Sequence, residues 1–323
     1  MEAPRNIRYQ FAMTDSPPPL MNERAGMVAV VGAANAGKSS LINRMMGEKV
    51  SIVSPVAQTT RNLVRGIHTE ARGQIVFLDT PGVHHQGKKA LNKQMNKVAR
   101  SATDGTDAVM LVVDRSEPPA LEVEGWFQKL CQLPAEARPP VLVVLNKCDL
   151  SARHEPGIRE AFARIVHETP EAPEPEWFLT SAESGEGIAP LLNRLFELMP
   201  PGPHLFPGDI VSDFPRKLAI GDVIREKYFM RLHQELPHSI AVWVEHLIET
   251  EGQWNIEAHI YVRQASQKGM VIGQKGRLMK AVRGEAASEI AEIYGVKIKL
   301  TLVVKVLKDW DKNFWILRKL GYA

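Results

Sequence analysis

Residues 32–39 read Gly32, Ala33, Ala34, Asn35, Ala36, Gly37, Lys38, Ser39. The spacing G-x-x-x-x-G-K-[ST] suits a loop that wraps its backbone amides round phosphate oxygens. The apolar run 27–31 before it reads as a buried strand, and Leu41, Ile42 and Met45 after it recur at helical spacing. A loop so placed turns amide N–H groups and a helix N-terminus toward an anion. Lys38 adds a mobile positive charge, and Ser39, followed by Ser40, offers a hydroxyl to Mg²⁺. Gln74–Leu78 runs into Asp79, Thr80, Pro81 and Gly82. A carboxylate at such a strand end holds Mg²⁺ through water, and the Gly82 N–H is placed to sense a γ-phosphate. Thr59 and Thr60 lie between the loop's helix and the next strand, where a segment can close over that phosphate, and Thr60 is the expected metal ligand.

A second set of residues addresses a base. Val141–Leu145 leads into Asn146, Lys147, Cys148 and Asp149. The Asp149 carboxylate can accept from guanine N1–H and N2–H₂, donors that adenine lacks. A buried acceptor left unpaired costs about 1–3 kcal/mol, so adenine is disfavoured. The Lys147 stem can lie along the base, and Asn146 can tie this corner back to the phosphate loop. Ser181 and Ala182 close the next strand, with the Ala182 N–H in reach of guanine O6.

These residues need a scaffold. Short apolar runs (27–31, 74–78, 107–113, 141–145, 176–180) alternate with segments of helical pattern (88–103, 119–132, 154–168, 187–199). Alternation of this kind predicts a mostly parallel sheet with helices on both faces. Leu63–His68 is expected to add an antiparallel edge strand beside Gln74–Leu78. Residues 200–208, with four prolines and two glycines, end the last helix and mark a boundary. The expected division is a leader at 1–25, holding Pro17-Pro18-Pro19, a nucleotide domain at 26–199, a linker at 200–210 and a second domain at 211–323. The second domain reads as helix (216–235), two strands (239–248, 253–262), a Gly-rich turn, helix (277–293) and strand (296–306). Within it Val271, Ile272, Gly273, Gln274, Lys275, Gly276 and Arg277 form a G-x-x-G turn with a basic interior. Lys280 and Arg283 follow, and no carboxylate occurs from 263 to 283. Glycines there let a helical corner approach a sugar–phosphate backbone, with Val271 and Ile272 as an apolar floor.

In bulk the chain is unremarkable: 323 residues, net charge +3, two cysteines. Two cysteines, Cys131 and Cys148, make no disulfide framework or metal cluster, and no run approaches the length of a membrane span. The cationic segment is local, hidden by the weak overall charge.

The order N-A-G-K-S (35–39), A-Q-T-T-R (57–61), D-T-P-G-V-H (79–84) and N-K-C-D (146–149) resembles translational GTP-binding switches, and more narrowly the Era family of the TrmE–Era–Der branch. Ala34, Ala36 and Ser40 depart from the family's usual Pro, Val and Thr. The resemblance implies a P-loop GTPase domain followed by an α+β type II KH domain. It implies GTP hydrolysis to GDP with Mg²⁺ on Ser39, Thr60 and Asp79, and Lys38, Asn35, Thr60 and Gly82 at the reacting phosphate. Val83 stands where Ras-like switches carry a water-orienting glutamine, so hydrolysis is expected to be slow. The family suggests K⁺ near Asn35, capped by the Thr59 region. It further implies binding of the 3′ region of small-subunit rRNA on the 30S-type ribosomal subunit, assembly of that subunit, a cytoplasmic monomer, and peripheral contact with the inner face of the cell membrane. Trp310, Phe314, Trp315 and Tyr322 are read as packing residues. Two rivals compete: a small-molecule phosphotransferase, against which N-K-x-D speaks, and a scaffold with a vestigial site, against which Lys38, Ser39, Asp79 and Asp149 speak.

Overall fold

A computed structural model describes residues 23–54, 59–82, 95, 98–99, 101–232 and 236–322. Residues 1–22 of the leader expected at 1–25, Ala57 and Gln58, Val83 and His84, and most of the helix at 88–103 lie outside these residues; Arg24 and Ala25, expected in the leader, instead open the first strand.

The first sheet has six strands: β1 (Arg24–Gly32), β2 (Val64–Glu70), β3 (Gly73–Asp79), β4 (Ala108–Asp114), β5 (Val141–Asn146) and β6 (Glu176–Leu179). Their order is β2-β3-β1-β4-β5-β6. Every pairing is parallel except β2 with β3, the antiparallel edge the sequence predicts. Side chains alternate between two cores. Val28 and Val30 face α1 (Lys38–Met46) and α4 (Ile188–Leu198), whereas Ala29 and Val31 face α2 (Leu121–Cys131) and α3 (Glu155–Glu168). Strands covered on both faces must be apolar throughout, so each reads as a continuous run. The carboxyl ends of β1, β3 and β5 carry the three nucleotide motifs along one edge of the sheet, the usual ligand side of such folds.

The proline-rich connection is tied down along the first sheet. Ala25 N–H donates to the Pro200 carbonyl, Gly202 N–H to that of Glu23, and Ile67 N–H to that of Val211. Gln74 exchanges hydrogen bonds with the backbone of Phe206.

Beyond it lie α5 (Arg216–Phe229), a helical turn at Leu236–Ser239, β7 (Ala241–Thr250), β8 (Gln253–Val262), α6 (Ala265–Ile272), α7 (Arg277–Tyr294) and β9 (Lys297–Val306). The sheet order is β7-β8-β9, with β8–β9 parallel. Helices α5 and α7 cover one face, burying Ile220, Ile224, Ile256, Ile290 and Leu302 among others. The C-terminal segment, ending in α8 (Phe314–Lys319), covers the other. There Trp310, Leu317, Leu320 and Tyr322 pack with Ala241 and with Met95 of the first domain. The expectation of packing aromatics holds for Trp310, whose Nε1–H donates to the Ser239 carbonyl, and for buried Tyr322. It fails for Phe314 and Trp315, which are 55% and 71% exposed. They open a six-residue helix and point away from the sheet that buries Leu317 and Leu320.

Candidate nucleotide and RNA sites

β1 delivers the chain into the phosphate loop at Gly32. There φ is +154° and a Cβ would lie 2.2 Å from the Val112 carbonyl oxygen, so only glycine fits between β1 and β4. Asn35 adopts a left-handed φ of 62°, which asparagine tolerates, and Gly37 turns the chain into α1. Lys38 folds back over the loop, its Nζ donating to the carbonyls of Gly32 (3.0 Å) and Ala33 (2.8 Å). Burial lowers its pKa to about 8 against the opposing pull of Asp79.

Ser39 Oγ donates to Asp79 Oδ2 at 2.6 Å and lies 2.9 Å from Thr60 Oγ1. Asp79 is 1% exposed. Burial pushes its carboxyl above the usual range while the Ser39 hydrogen bond and Lys38 oppose the rise. Its second oxygen, Oδ1, is buried without a hydrogen-bond partner. A buried orphan carboxylate oxygen beside two hydroxyls is a hard-oxygen donor set that fits Mg²⁺. Gly82 presses against the loop: a Cβ there would fall 2.9 Å from Ala34 Cα. A cleft open to solvent, with about 420 Å³ of empty space, lies here, lined by Asn35, Lys38, Ser39, Thr60 and Gly82, together with Ile52 and Val53, which the motifs did not single out. Ser40 is half-buried on its wall, whereas Ala36 is buried. Thr80 is corrected: fully buried, it spends its hydroxyl on the Val30 carbonyl (2.8 Å) and braces β1 rather than facing a ligand. Pro81 is buried beside it.

Asn146 joins the site together. Its Nδ2 donates to the Ala36 carbonyl (2.9 Å), while its Oδ1 accepts from Thr180 Oγ1 (3.3 Å) and Ala182 N–H (3.2 Å). One buried amide thus fastens the phosphate loop to both base-side loops, the link expected for it. The contact is close enough that a Cβ on Gly37 would lie 2.2 Å from Asn146 Nδ2. Ala182 differs from expectation because its N–H is engaged by Asn146 instead of facing outward. Ser181 is likewise turned inward, donating its N–H to the Glu186 carbonyl and accepting from Ser184. Lys147 holds φ 64°, and its Nζ pairs with Asp114 at 2.5 Å. Asp149 stands exposed at the rim, so the cost of a buried unpaired acceptor there arises only once a bound base covers it.

In the second domain α6 starts with a capping box between Gln264 and Gln267 and stops at Gly273 (φ 75°). Lys275 (φ 51°) and Gly276 (φ 75°) then turn the chain into α7. Gln274, Lys275, Arg277, Lys280 and Arg283 are all exposed. No acidic residue opens α7, so its positive end and the basic heads act together on an anion. Val271 is corrected: fully buried in the domain core, it supports the corner from beneath, and half-buried Ile272 is left as the apolar surface. Sequence patterning missed α6 as a helix, because eight residues with Lys and Gly inside show little periodicity.

The family described as "50S ribosome-binding GTPase" matches residues 27–147, and "KH domain" matches residues 235–311. GTPase Era of Geotalea uraniireducens is 40% identical over 300 residues, covering 93% of this chain and 98% of the relative. GTPase Era of Geobacter metallireducens is 39% identical, with 93% and 98% covered. Two solved structures superpose with TM-scores of 0.84 at 32% identity, covering 93% of this chain and 99% of theirs. One is an Aquifex aeolicus Era variant bound to GDP and AlF₄⁻. The other is Era with MgGDPNP and nucleotides 1506–1542 of 16S ribosomal RNA.

Proposed function

The chain belongs to the Era GTPase family, and from that premise we propose that it is a GTP-hydrolysing switch that binds the 3′ region of small-subunit rRNA and assists assembly of the small ribosomal subunit. One observation carries the reading: Asn146 couples a phosphate loop to a guanine-type corner in one buried hydrogen-bond set. Backbone amides from Gly32 to Ser40 and the Lys38 ammonium receive the phosphates. Asp149 selects guanine, and Lys147 covers the ring. Ser39, Thr60 and Asp79 would hold Mg²⁺, which would supply positive charge to the phosphates. Gly82 turns its N–H toward the γ-phosphate.

Val83 lacks a group to orient water, so Asn35 is assigned as a ligand of a K⁺ ion, capped by the Thr59 region, that would supply positive charge to the phosphates during hydrolysis. Turnover should rise when Na⁺ is replaced by K⁺, and equal rates in the two salts would remove this assignment.

RNA lies along Ile272–Arg277, with about four nucleotides of single strand in the groove and Lys280 and Arg283 on flanking phosphates. Occupancy of the nucleotide site shifts how the two domains dock and so changes RNA affinity. The test is the affinity of an unpaired fragment of the rRNA 3′ end, measured with GTP analogue and with GDP. Equal affinities would refute the coupling, and no binding in either state would refute the RNA assignment. The chain is placed in the cytoplasm as a monomer with peripheral membrane contact. Sedimentation of the purified chain with and without anionic vesicles tests both, a dimer or unaltered sedimentation counting against them. Among the described residues no helix is long and apolar enough to cross a membrane.

A further inference from the structure

The two flanks of the segment that carries Thr59 and Thr60 are gripped by neighbouring residues of one helix in the other domain. Upstream, Glu226 of α5 accepts from Lys49 Nζ (2.9 Å) and from the Val53 N–H (3.4 Å). Lys49 also pairs with Glu289 of α7 at 2.5 Å. Downstream, Arg225 Nη2 donates to the Thr59 carbonyl at 2.6 Å, and its Nη1 donates to Tyr322 Oη. Arg225 is held in place by Asp222 (3.0 Å) and by the faces of Phe229 and Tyr322. Arg61 reaches the opposite way, into the second domain, where it donates to the Ile240 carbonyl (3.0 Å) beneath Trp310 and Tyr322. Arg61 and Arg225 are each 1% exposed and Glu226 is 2% exposed.

Two buried guanidiniums are costly unless their geometry is fixed by partners on every side. Here those partners come from both domains and from the C-terminal segment, although the Nε of each guanidinium is buried without a hydrogen-bond partner, and the Arg225 contact restrains the backbone at Thr59. The next residue, Thr60, lies 2.9 Å from Ser39, which bonds Asp79. Thr59 has further contacts of its own, but Arg225 is the group that reaches its carbonyl from across the domain boundary.

We propose that Arg225 is a positioning residue for GTP hydrolysis: from the RNA-binding domain it sets the Thr59 carbonyl and thereby aims the Thr60 hydroxyl at the metal and γ-phosphate. Because the same arginine is anchored on Tyr322 and α5, any movement of the second domain is felt at Thr60. The inference rests on the GTPase reading given above.

The test uses the full chain, wild type beside R225M, R225K and Y322F. Single-turnover hydrolysis is measured together with affinity for GDP and for a non-hydrolysable GTP analogue, all with Mg²⁺. R225M should lower the rate and the analogue affinity by about tenfold each while GDP affinity stays within about twofold, since Thr60 engages only the γ-phosphate state. R225K should recover part of the loss, having one donor head in place of the fork. Y322F, which keeps the ring and removes one anchor, should show the same selective loss at about threefold. A soluble R225M with an unchanged rate, or with GDP and analogue affinities falling in parallel, would overturn the proposal. Should R225M fail to fold, Y322F decides by the same two criteria. A wild-type chain that takes up no GTP would instead sink the nucleotide assignment, before any variant is compared.

Discussion

Lys38 is held between two opposing demands. Burial in the loop favours its neutral form, and phosphate favours the cation. Its folded pKa of about 8 lies below the ordinary lysine value of 10.5. From pH 8 to 10.5 the unfolded chain therefore binds more protons, and this group's penalty on stability is relieved as pH rises through that window. Ligand binding runs the other way. Phosphate oxygens raise the Lys38 pKa again, so GDP binding at pH 8 takes up protons and affinity falls as pH rises toward 9. Calorimetric titration in two buffers of different ionisation heat checks this, and zero proton uptake at pH 8 would count against Lys38 as the responding group. At this scale the sequence was most readable where a motif implies a backbone shape. The glycines at 32 and 37 and the link from Asn146 follow from how tightly β1, α1 and β5 must converge. Thr80, Ala182 and Val271 point elsewhere than their motifs suggest because a side chain's or amide's direction depends on neighbours distant in sequence. Thr80 faces Val30, 50 residues away, and Ala182 faces Asn146, 36 away.

Among the elements, the parallel strands were legible because burial on both faces fills them mostly with apolar residues, Gln74 of β3 being an exception that hydrogen-bonds the Phe206 backbone. Each fully buried Val or Ile contributes about 1.5–3 kcal/mol relative to exposure, so a polar residue in such a run is heavily selected against by physics alone. In β9, Leu300, Leu302 and Val304 are buried while Lys299, Thr301 and Lys305 between and beside them are exposed, an alternation of period two that makes the strand legible. Helix α5 was expected over 216–235 and spans Arg216–Phe229; its burial was not legible, because Ile220 through Glu226 are all buried, polar residues included, where the helix is wedged between two domains. The α6–α7 corner makes its own prediction. Lys275 and Arg277 are exposed on either side of Gly276, so each is free to meet a phosphate. Replacing both with Ala should weaken single-stranded RNA binding at every sequence and reduce the slope of log affinity against log salt by about 1.4. Filter binding at several salt concentrations reads this, and an unaltered slope would place the RNA elsewhere.

At the scale of the molecule, a net charge of +3 conceals two separate charge arrangements. One is the exposed cationic corner at Lys275–Arg283. The other is the buried Arg61–Arg225–Asp222 group between the domains. The second was invisible in the sequence, since Arg61 contacts a carbonyl 179 residues away. It makes the nucleotide segment and the RNA-binding domain parts of one packed unit, and coupling between their ligands must then be reciprocal: whatever factor GTP applies to RNA affinity, RNA applies to GTP affinity. All of this depends on guanine and triphosphate occupying the site that Asn146 fastens together. The most direct measurement is equilibrium titration of the purified full chain with GTP and with ATP in the presence of Mg²⁺. Binding of GTP at least about a hundredfold tighter than ATP is the predicted result, from the donors that adenine cannot offer Asp149. Equal affinity for the two nucleotides, or uptake of neither, would contradict it.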